Sequence, residues 1–301
     1  RFYIADVPVF YLPYFAFPVS NERQTGLLFP ELTSSSRTGV DYTQPFYWNI
    51  APNYDMTISP RLMTRRGLQL NTEFRYLTEK SEGMAYVEYL PSDSDISGNP
   101  DRYFYRLEHQ GLIGENWLLN IDFNGLSDDN YLLDLGSDYY SRADTHLYRS
   151  VGLSYYSENL SVNVQVKDFE VLGDTADSYR AVPQIKLNYN TALGRHFEFS
   201  IDSELAHFDN TLTTAPTATR FHVAPTLALP LRAAWGEVVA ETTLFQTVYR
   251  QDNVAGTELE EDVERSLGQA RLYGALYFER DTSWFDDELS MTFEPKVQYL
   301  Y

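Results

Sequence analysis

The sequence predicts an all-β protein, most simply an antiparallel transmembrane β-barrel, on three observations. Polar and apolar residues alternate over long stretches, several stretches are long enough to cross a membrane as strands, and the more polar face carries charged side chains. The chain has 301 residues, of which 43% are hydrophobic and 15% aromatic. That composition is too apolar for a disordered acidic chain.

The alternation is clearest in the segment 68–76. Leu, Leu, Thr, Phe and Tyr occupy every second position there, and the positions between them hold Gln69, Asn71, Glu73 and Arg75. Successive side chains of a strand point to opposite faces, so this segment has one apolar and one polar face. The same pattern recurs at 161–167, 184–190 and 197–202.

Further strands follow in chain order, separated by turn-forming residues. From about residue 33 onward, short and long connections alternate, which predicts about fourteen strands. The longest predicted strands cover 42–48 continuing past Pro52, 68–78, 103–113, 181–189, 198–208 and 238–250. Long connections are predicted at 91–101, 126–145, 169–178, 209–217 and 251–268.

Two all-β architectures fit this pattern. A soluble sandwich buries its apolar faces between sheets and uses strands of about five or six residues. A transmembrane barrel uses strands of roughly 9–11 residues with the apolar face outward, and aromatic residues gather near the strand ends. The long strands and the charged second face favour the barrel, with a sandwich as the alternative.

Composition and charge exclude several other classes. A net charge of −20 argues against nucleic acid as a partner, because phosphate binding needs clustered Lys and Arg. No window reaches the roughly 20 consecutive apolar residues of a membrane helix. There is no cysteine for disulfides or thiolate metal sites. The residues after Arg1 read as mature sequence, so we expect no signal peptide here.

The sequence predicts no enzyme, no metal site and no cofactor. His207 and Asp209 are the nearest approach to a catalytic dyad, and no serine motif accompanies them. An outer-membrane hydrolase is therefore only a remote alternative. The segment 93–98 resembles the first half of a calcium loop, but Phe104 occupies the position of the bidentate Glu, which favours an ordinary external loop.

The prolines near the start of the predicted barrel are the most informative oddity. Pro45, Pro52 and Pro60 fall inside the first two predicted strands, and Pro30 lies just before them. Proline cannot donate a hydrogen bond to a strand ladder, so it belongs at edges, strand starts or bulges. Either these strands are simply kinked, or strand pairing is deliberately weak here and the wall opens sideways.

Several motifs in this region resemble the LptD family of lipopolysaccharide-assembly outer-membrane proteins. They are PVFYLPYFAFPV (8–19), TGLLFP (25–30), PFYWNIAPNYDMTISPR (45–61), RRGLQLNTEFRYL (65–77) and the closing EPKVQYLY (294–301). The middle of the chain, about 80–290, matches the family only in its strand rhythm. The resemblance is therefore specific at the N-terminal end.

The resemblance implies an architecture and a location. It predicts that residues 1–20 are the end of a periplasmic β-jellyroll, 21–32 a connector, and 33–301 the first part of a very large outer-membrane barrel. The N-terminal end would lie in the periplasm of a Gram-negative bacterium. The implied partners are lipopolysaccharide, the plug lipoprotein LptE, the bridge protein LptA through the jellyroll, and outer-membrane lipids.

The resemblance also implies a function, which is translocation of lipopolysaccharide and its insertion into the outer leaflet through a lateral gate. The gate residues would be Pro45, Pro60 and Pro52. The hydrophobic exit for acyl chains would be the connector residues Leu27, Leu28, Phe29 and Pro30, and the hydrated lumen would be lined by Gln69, Asn71, Glu73 and Arg75. A general porin-like channel is the main alternative.

The chain departs from the family pattern in three ways. Most of the jellyroll, the later barrel strands and every cysteine of the family are missing. The family's interdomain disulfides therefore have no counterpart in this sequence. We expect the chain to be a fragment of a longer protein.

Overall fold

The computed structural model describes residues 2–4, 7–10, 23–173, 179–210, 212, 214–284 and 287–301. These residues form twenty-one strands and one single-turn helix, and every strand pairing is antiparallel, so the predicted all-β antiparallel class is confirmed. Within them, no helix has the length and apolar character needed to cross a membrane. Residues 11–22, which contain most of the first family motif, lie outside the described part.

The elements are β1 (Phe2–Ile4), β2 (Val7–Phe10), β3 (Gly26–Leu27), β4 (Glu31–Ser35), β5 (Gly39–Thr43), β6 (Phe46–Ala51), β7 (Tyr54–Met63), β8 (Gly67–Leu77), β9 (Ser81–Leu90), β10 (Arg102–Ile113), β11 (Trp117–Leu126), α1 (Tyr131–Asp134), β12 (His146–Tyr156), β13 (Leu160–Val171), β14 (Arg180–Leu193), β15 (Phe197–Asp209), β16 (Thr217–Ala233), β17 (Gly236–Asp252), β18 (Asp262–Leu276), β19 (Phe278–Trp284), β20 (Asp287–Phe293) and β21 (Lys296–Leu300).

The predicted strand count agrees with these elements once interrupted strands are joined. From β5 onward the described residues contain seventeen strands. Counting β5 with β6, β18 with β19, and β20 with β21 as one interrupted strand each leaves fourteen. Strands in the second half are longer than expected, and both β16 and β17 have 17 residues. The reason is that their ladder continues to the turn, from Thr217 opposite Asp252 to Ala233 opposite Gly236.

The chain divides into two compact units. The first contains the chain up to Leu77 together with Met84–Tyr103, and the second contains Thr78–Gly83 and Phe104–Tyr301. In the first unit, β7 pairs with β8 along one edge and with β5 and β6 along the other. In the second unit, β10 to β18 pair consecutively as hairpins, and β21 pairs with β18.

Short turns and long loops alternate as predicted. Turns of two or three residues follow β8, β10, β12, β14 and β16, and loops of at least seven residues follow β9, β11, β13, β15 and β17. The loop after β11 carries α1, whose Tyr131 is fully buried and stacks on Phe104 with the ring centroids 6.3 Å apart. This loop therefore has a small apolar core of its own, which the sequence pattern did not reveal.

Burial is inverted relative to a soluble sheet protein. In the first unit, Gln69 is 0% and Glu88 1% exposed, whereas Leu68 and Leu70 are 56% and 44% exposed. A sandwich buries its apolar faces between sheets, so the sandwich alternative is wrong for these strands. The polar face is the enclosed one, as the alternation predicted.

Candidate functional site

The three predicted gate prolines occupy different positions in the strands. Pro60 lies inside β7, as predicted. Pro45 lies in a two-residue break between β5 and β6, and Pro52 lies in the turn between β6 and β7. The predicted unbroken strand from 42 past Pro52 is therefore wrong, because the strand is interrupted at Pro45 and the chain turns back at Pro52.

Strand register brings Pro45 and Pro60 to the same level. Thr43 lies opposite Arg61 and Phe46 opposite Ile58, so the break at Pro45 faces Pro60 directly. On the other side of this break, β3 pairs with β6 and β4 pairs with β5, and the gap between β3 and β4 contains Pro30. We call this level the proline seam; it is formed by residues 28–30 between β3 and β4, residues 44–45 between β5 and β6, and residues 59–60 of β7.

At the proline seam, two pairs of opposed residues share only one backbone hydrogen bond each. A hydrogen-bonded pair of an antiparallel ladder normally shares two. Gln44 N donates to Pro60 O at 3.1 Å, and Leu28 N donates to Pro45 O at 2.9 Å. Opposed residues in such a pair normally exchange both N–H···O bonds, but a proline nitrogen has no hydrogen to return. The ladder is thus halved at Leu28–Pro45 and again at Gln44–Pro60.

A side chain compensates for one of the lost bonds. Gln44 Nε2 donates to Leu28 O at 2.9 Å and lies 3.2 Å from Pro45 O, while Tyr42 Oη donates to Gln44 Oε1 at 3.0 Å. Leu28 O is the acceptor that an N–H at position 45 would have used. The amide therefore fills the gap in the ladder that Pro45 creates.

Sequence reasoning missed Gln44, although a local signal was present. The even positions from 40 to 50 hold Val, Tyr, Gln, Phe, Trp and Ile, so Gln44 is the one amide on an otherwise apolar face. The pairing with β7 keeps the same register before and after the break at Pro45, so this alternation continues across it. A polar residue on such a face needs a partner, and here the partners are backbone carbonyls.

The connector residues at and next to the proline seam expose their apolar side chains. Leu27 and Phe29 are 71% and 73% exposed, and Leu28 is also exposed. β3 has only two residues and makes few ladder bonds, so side chains supply other attachments. Asn49 Nδ2 donates to Arg23 O at 3.0 Å, and Asn49 N donates to Thr25 Oγ1 at 3.0 Å.

A second attachment of the connector lies on the polar face. Asp55 is buried, and its carboxylate accepts from Arg23 Nη1 at 3.0 Å, from Arg75 Nε at 2.7 Å and from Tyr47 Oη at 3.2 Å. Arg23 belongs to the connector, Tyr47 to β6 and Arg75 to β8. One carboxylate thus joins three segments of the first unit.

The predicted lumen residues share this polar face. Gln69, Asn71, Glu73 and Arg75 lie opposite Arg61, Ser59, Thr57 and Asp55 in the β7–β8 pairing. Arg61 forms a bidentate ion pair with Asp41, the closest approach being 2.7 Å, and its Nη1 donates to Gln69 Oε1 at 3.1 Å. This face therefore carries two groups of ion pairs and hydrogen bonds, one around Arg61 and one around Asp55. The opposite face of the same strand is apolar and exposed, as at Leu68 and Leu70.

The loop at 91–101 is organised by arginines. Asp93 is completely buried and contacts Arg66 at 2.6 Å and Arg102 at 3.0 Å, and Asp95 contacts Arg65 at 3.0 Å. The carboxylates of Asp93 and Asp95 are thus paired with guanidinium groups, in the way that a calcium loop would pair them with a cation. This agrees with the prediction of an ordinary loop. Among the described residues, no group of three or more His, Cys, Asp or Glu side chains is arranged to hold a metal ion.

The weak catalytic candidate is not assembled. His207 Nδ1 lies 2.9 Å from Thr219 Oγ1, and Asp209 lies 3.6 Å from Arg180. The two side chains thus have separate partners, and their arrangement does not support the hydrolase alternative.

Comparison with known proteins points to one family. Residues 100–301 match the LptD family described as LPS transport system D, and residues 1–89 match a second profile described as LptD protein. The chain is 60% identical over 300 residues to the LPS-assembly protein LptD of Pseudoalteromonas atlantica (strain T6c / ATCC BAA-1087), covering 100% of this chain and 40% of that protein. It is 44% identical over 301 residues to the protein of the same name from Pseudoalteromonas translucida (strain TAC 125), covering 99% and 40%.

The chain thus spans about two fifths of the length of these relatives. Among solved structures, a bacterial polysaccharide outer membrane secretin aligns with a TM-score of 0.33 and 10% identity, covering 87% of this chain and 90% of the other. That likeness is too weak to bear on the fold or the site.

Proposed function

This chain belongs to the LptD family, and on that premise we propose that it forms part of an outer-membrane translocon for lipopolysaccharide. In this proposal, lipopolysaccharide passes through a barrel with a lateral gate and enters the outer leaflet. The observation that carries the proposal is the proline seam, where backbone pairing is halved at Leu28–Pro45 and at Gln44–Pro60.

The two faces of the strands support a membrane wall around a hydrated interior. The exposed face is apolar, as at Leu68 and Leu70, and would contact lipid, while the polar side chains of Gln69, Asn71, Glu73 and Arg75 would line the lumen. Sugars and phosphates of lipopolysaccharide are hydrated and suit such an interior. Its acyl chains need an apolar path out of it.

The proline seam is a place where that path can open at low cost. A hydrogen bond lost in water costs about 0.5–1.5 kcal/mol net, and more where lipid offers no replacement partner. The backbone bonds missing at Pro45 and Pro60 are absent before any opening begins, so separating the strands there breaks fewer backbone bonds. At Pro45 the lost bond is replaced only by a side chain, that of Gln44. Pro52, in the turn between β6 and β7, would limit the gate at its other end.

The connector supplies the apolar surface next to the gate. Leu27, Leu28 and Phe29 are exposed beside the proline seam, and Pro30 interrupts the connector at the same level. We propose that acyl chains leave along these side chains. The segments would then be the jellyroll end at 1–20, the connector at 21–32 and the first part of the barrel at 33–301.

The proposal extends to location and partners. The short turns would face the periplasm together with the N-terminal end, and the long loops would face outward. A plug lipoprotein of the LptE type would contact the polar face, and a bridge protein of the LptA type would deliver lipopolysaccharide through the jellyroll. Both partners are carried over from the family resemblance.

The test restores the missing donors in the full-length protein. Pro45→Ala combined with Pro60→Ala returns two N–H groups, but the Gln44 amide already donates to Leu28 O, so the net gain is about one hydrogen bond. The closed gate is then favoured by about 0.5–1.5 kcal/mol, or roughly 2- to 12-fold in population. We expect lipopolysaccharide to reach the cell surface more slowly while the amount of folded barrel is unchanged. Surface lipopolysaccharide and heat-modifiable migration of the barrel are the two measurements.

The matched control is Pro225→Ala, which removes a proline inside β16, away from the proline seam. We expect normal delivery in this variant. Pro52→Ala should have a smaller effect than the double variant, because a turn proline cancels no ladder bond. Normal delivery in the double variant, with normal barrel abundance, would reject the gate.

A further inference from the structure

We propose that Gln44 is a positioning residue that closes the proline seam by standing in for the missing N–H of Pro45. Its role in transport rests on the gate proposed above, but its role in holding the connector does not. The inference begins from one acceptor, Leu28 O, which faces a proline nitrogen that has no hydrogen. The donor that reaches Leu28 O is the side-chain amide of Gln44, at 2.9 Å.

The geometry makes this amide a bridge between three segments. Its side chain contacts Leu28 of the connector, its backbone N donates to Pro60 O of β7 at 3.1 Å, and it lies in the break between β5 and β6. Tyr42 Oη holds the other end of the amide by donating to Gln44 Oε1 at 3.0 Å. With its oxygen held by Tyr42, the amide presents its NH2 group to the carbonyls.

The position of Gln44 on the strand strengthens the inference. Its neighbours on the same face, Tyr42 and Trp48, are exposed apolar or aromatic side chains. In a membrane wall that face meets lipid, which cannot hydrogen-bond a bare carbonyl. Without the amide, Leu28 O would lack a donor at a level where water is scarce, so the connector would separate from the barrel strands more readily.

Gln44 and Pro45 therefore have opposed effects on one contact. Pro45 removes a permanent backbone bond, and Gln44 replaces it with a bond from a side chain that can rotate away without moving the backbone. A contact of this kind holds the connector when the gate is at rest and can be broken by a single rotamer change. A backbone N–H at position 45 would hold the connector but could not release it that way.

The test measures opening of the proline seam directly, by hydrogen–deuterium exchange of the Leu28 amide in the full-length protein embedded in a lipid bilayer. Gln44→Met keeps the length of the side chain but cannot donate, and we expect exchange at Leu28 to be about two- to tenfold faster. Gln44→Glu keeps the shape but places carboxylate oxygens against two carbonyls, and exchange should be faster still. A role limited to filling space predicts unchanged rates in both variants.

The decisive arm is a double-mutant cycle with Pro45→Ala. Alanine returns the backbone donor to Leu28 O, so Gln44 becomes redundant, and Gln44→Met should then change exchange less than about twofold. An effect of Gln44→Met as large in this background as in the wild type would overturn the proposal. So would wild-type exchange in both single variants of Gln44.

A matched control and a functional arm complete the experiment. Gln110→Met changes an exposed glutamine of β10 and should leave exchange at Leu28 unchanged. If the exchange pattern holds but Pro45→Ala with Pro60→Ala does not slow lipopolysaccharide delivery, the gate is rejected and the fastening role of Gln44 stands. If delivery slows but exchange does not depend on Gln44, the gate stands and the role of Gln44 is rejected.

Discussion

The Asp55 carboxylate accepts a hydrogen bond from Arg75 Nε at 2.7 Å, and Arg23 of the connector approaches the same carboxylate at 3.0 Å. Arg75 lies on β8 and Asp55 on β7, so this pair is part of the sheet, whereas Arg23 comes from outside it. The connector is thus held on the polar face by an ion pair to Asp55, in addition to its bonds to Asn49 and at the proline seam.

Asp55→Asn is expected to loosen the connector without unfolding the sheet. The asparagine keeps an acceptor for Arg75 but removes the charge that draws the exposed Arg23 inward. Exposed ion pairs are worth about 0–1 kcal/mol, so exchange of the backbone at 23–29 should rise roughly two- to fivefold. Glu73→Gln is the control, because Glu73 contacts Arg75 at 3.3 Å but does not contact Arg23. Equal exchange in both variants would contradict a role for Asp55 in fastening.

Asp93→Asn is expected to destabilise the first unit strongly. Asp93 is completely buried between Arg66 and Arg102, and removing one member of a buried charge cluster typically costs about 3–5 kcal/mol. We expect a lower denaturant midpoint and faster exchange in the loop 91–101. Asp95→Asn should cost less, because the side chain of Asp95 is 26% exposed and partly hydrated. The opposite ranking would show that the cluster does not organise the loop.

Gly39→Ala is expected to disturb the turn between β4 and β5. Gly39 has φ of +73°, and a Cβ built there would lie 2.2 Å from Thr64 Oγ1. That hydroxyl accepts a hydrogen bond from Val40 N at 3.0 Å, so the turn must shift and lose it. We expect a loss of roughly 1–3 kcal/mol in unfolding free energy. Gly98→Ala is the control, because Gly98 has a similar positive φ of +88° but no atoms near the added Cβ. It therefore carries the backbone strain without the steric clash, and its loss in unfolding free energy should be smaller.

Alkaline pH is expected to release the loop that carries Tyr140. Burial, as the largest cause, raises the pKa of Tyr140 above the ordinary 10.0, and nearby Arg106 partly opposes this by lowering the pKa. A raised pKa means that the folded loop favours the neutral phenol. This stability is fully present below the ordinary pKa and is lost as the pH rises through the raised value.

Two measurements test this prediction. Phenolate formation is followed by ultraviolet absorbance as the pH rises, and hydrogen–deuterium exchange of the backbone at 127–145 is measured over the same pH range. We expect the late-ionising part of the titration to decrease by one tyrosine in Tyr140→Phe. The phenylalanine variant loses the bond that Asn124 Nδ2 donates to Tyr140 Oη at 2.8 Å, but it should keep the loop ordered to higher pH. Loss of order at the same pH in both proteins would contradict the prediction.

Much of the fold follows from local patterns in the sequence. Residues on opposite faces of a strand differ by one position, so alternation alone predicted the segments around 68–76 and 198–208 and the polar face of β8. Proline's missing donor is equally local, which is why the loss of ladder donors at Pro45 and Pro60 follows from the sequence, whereas a gate at these residues stays a proposal. The loop after β11 was not predictable, because burial of Tyr131 depends on a strand residue far away in the chain.

The sequence by itself determined an antiparallel all-β chain with one polar and one apolar face, because a period of two is a property of neighbouring residues. Only the tertiary structure decided that Pro45 and Pro60 meet at one level, that Gln44 reaches Leu28 O, and that Asp93 lies between two arginines. These contacts join residues 16 and 27 positions apart, as in Leu28 with Gln44 and Arg66 with Asp93. Strand register sets them, and register is a property of how strands pair.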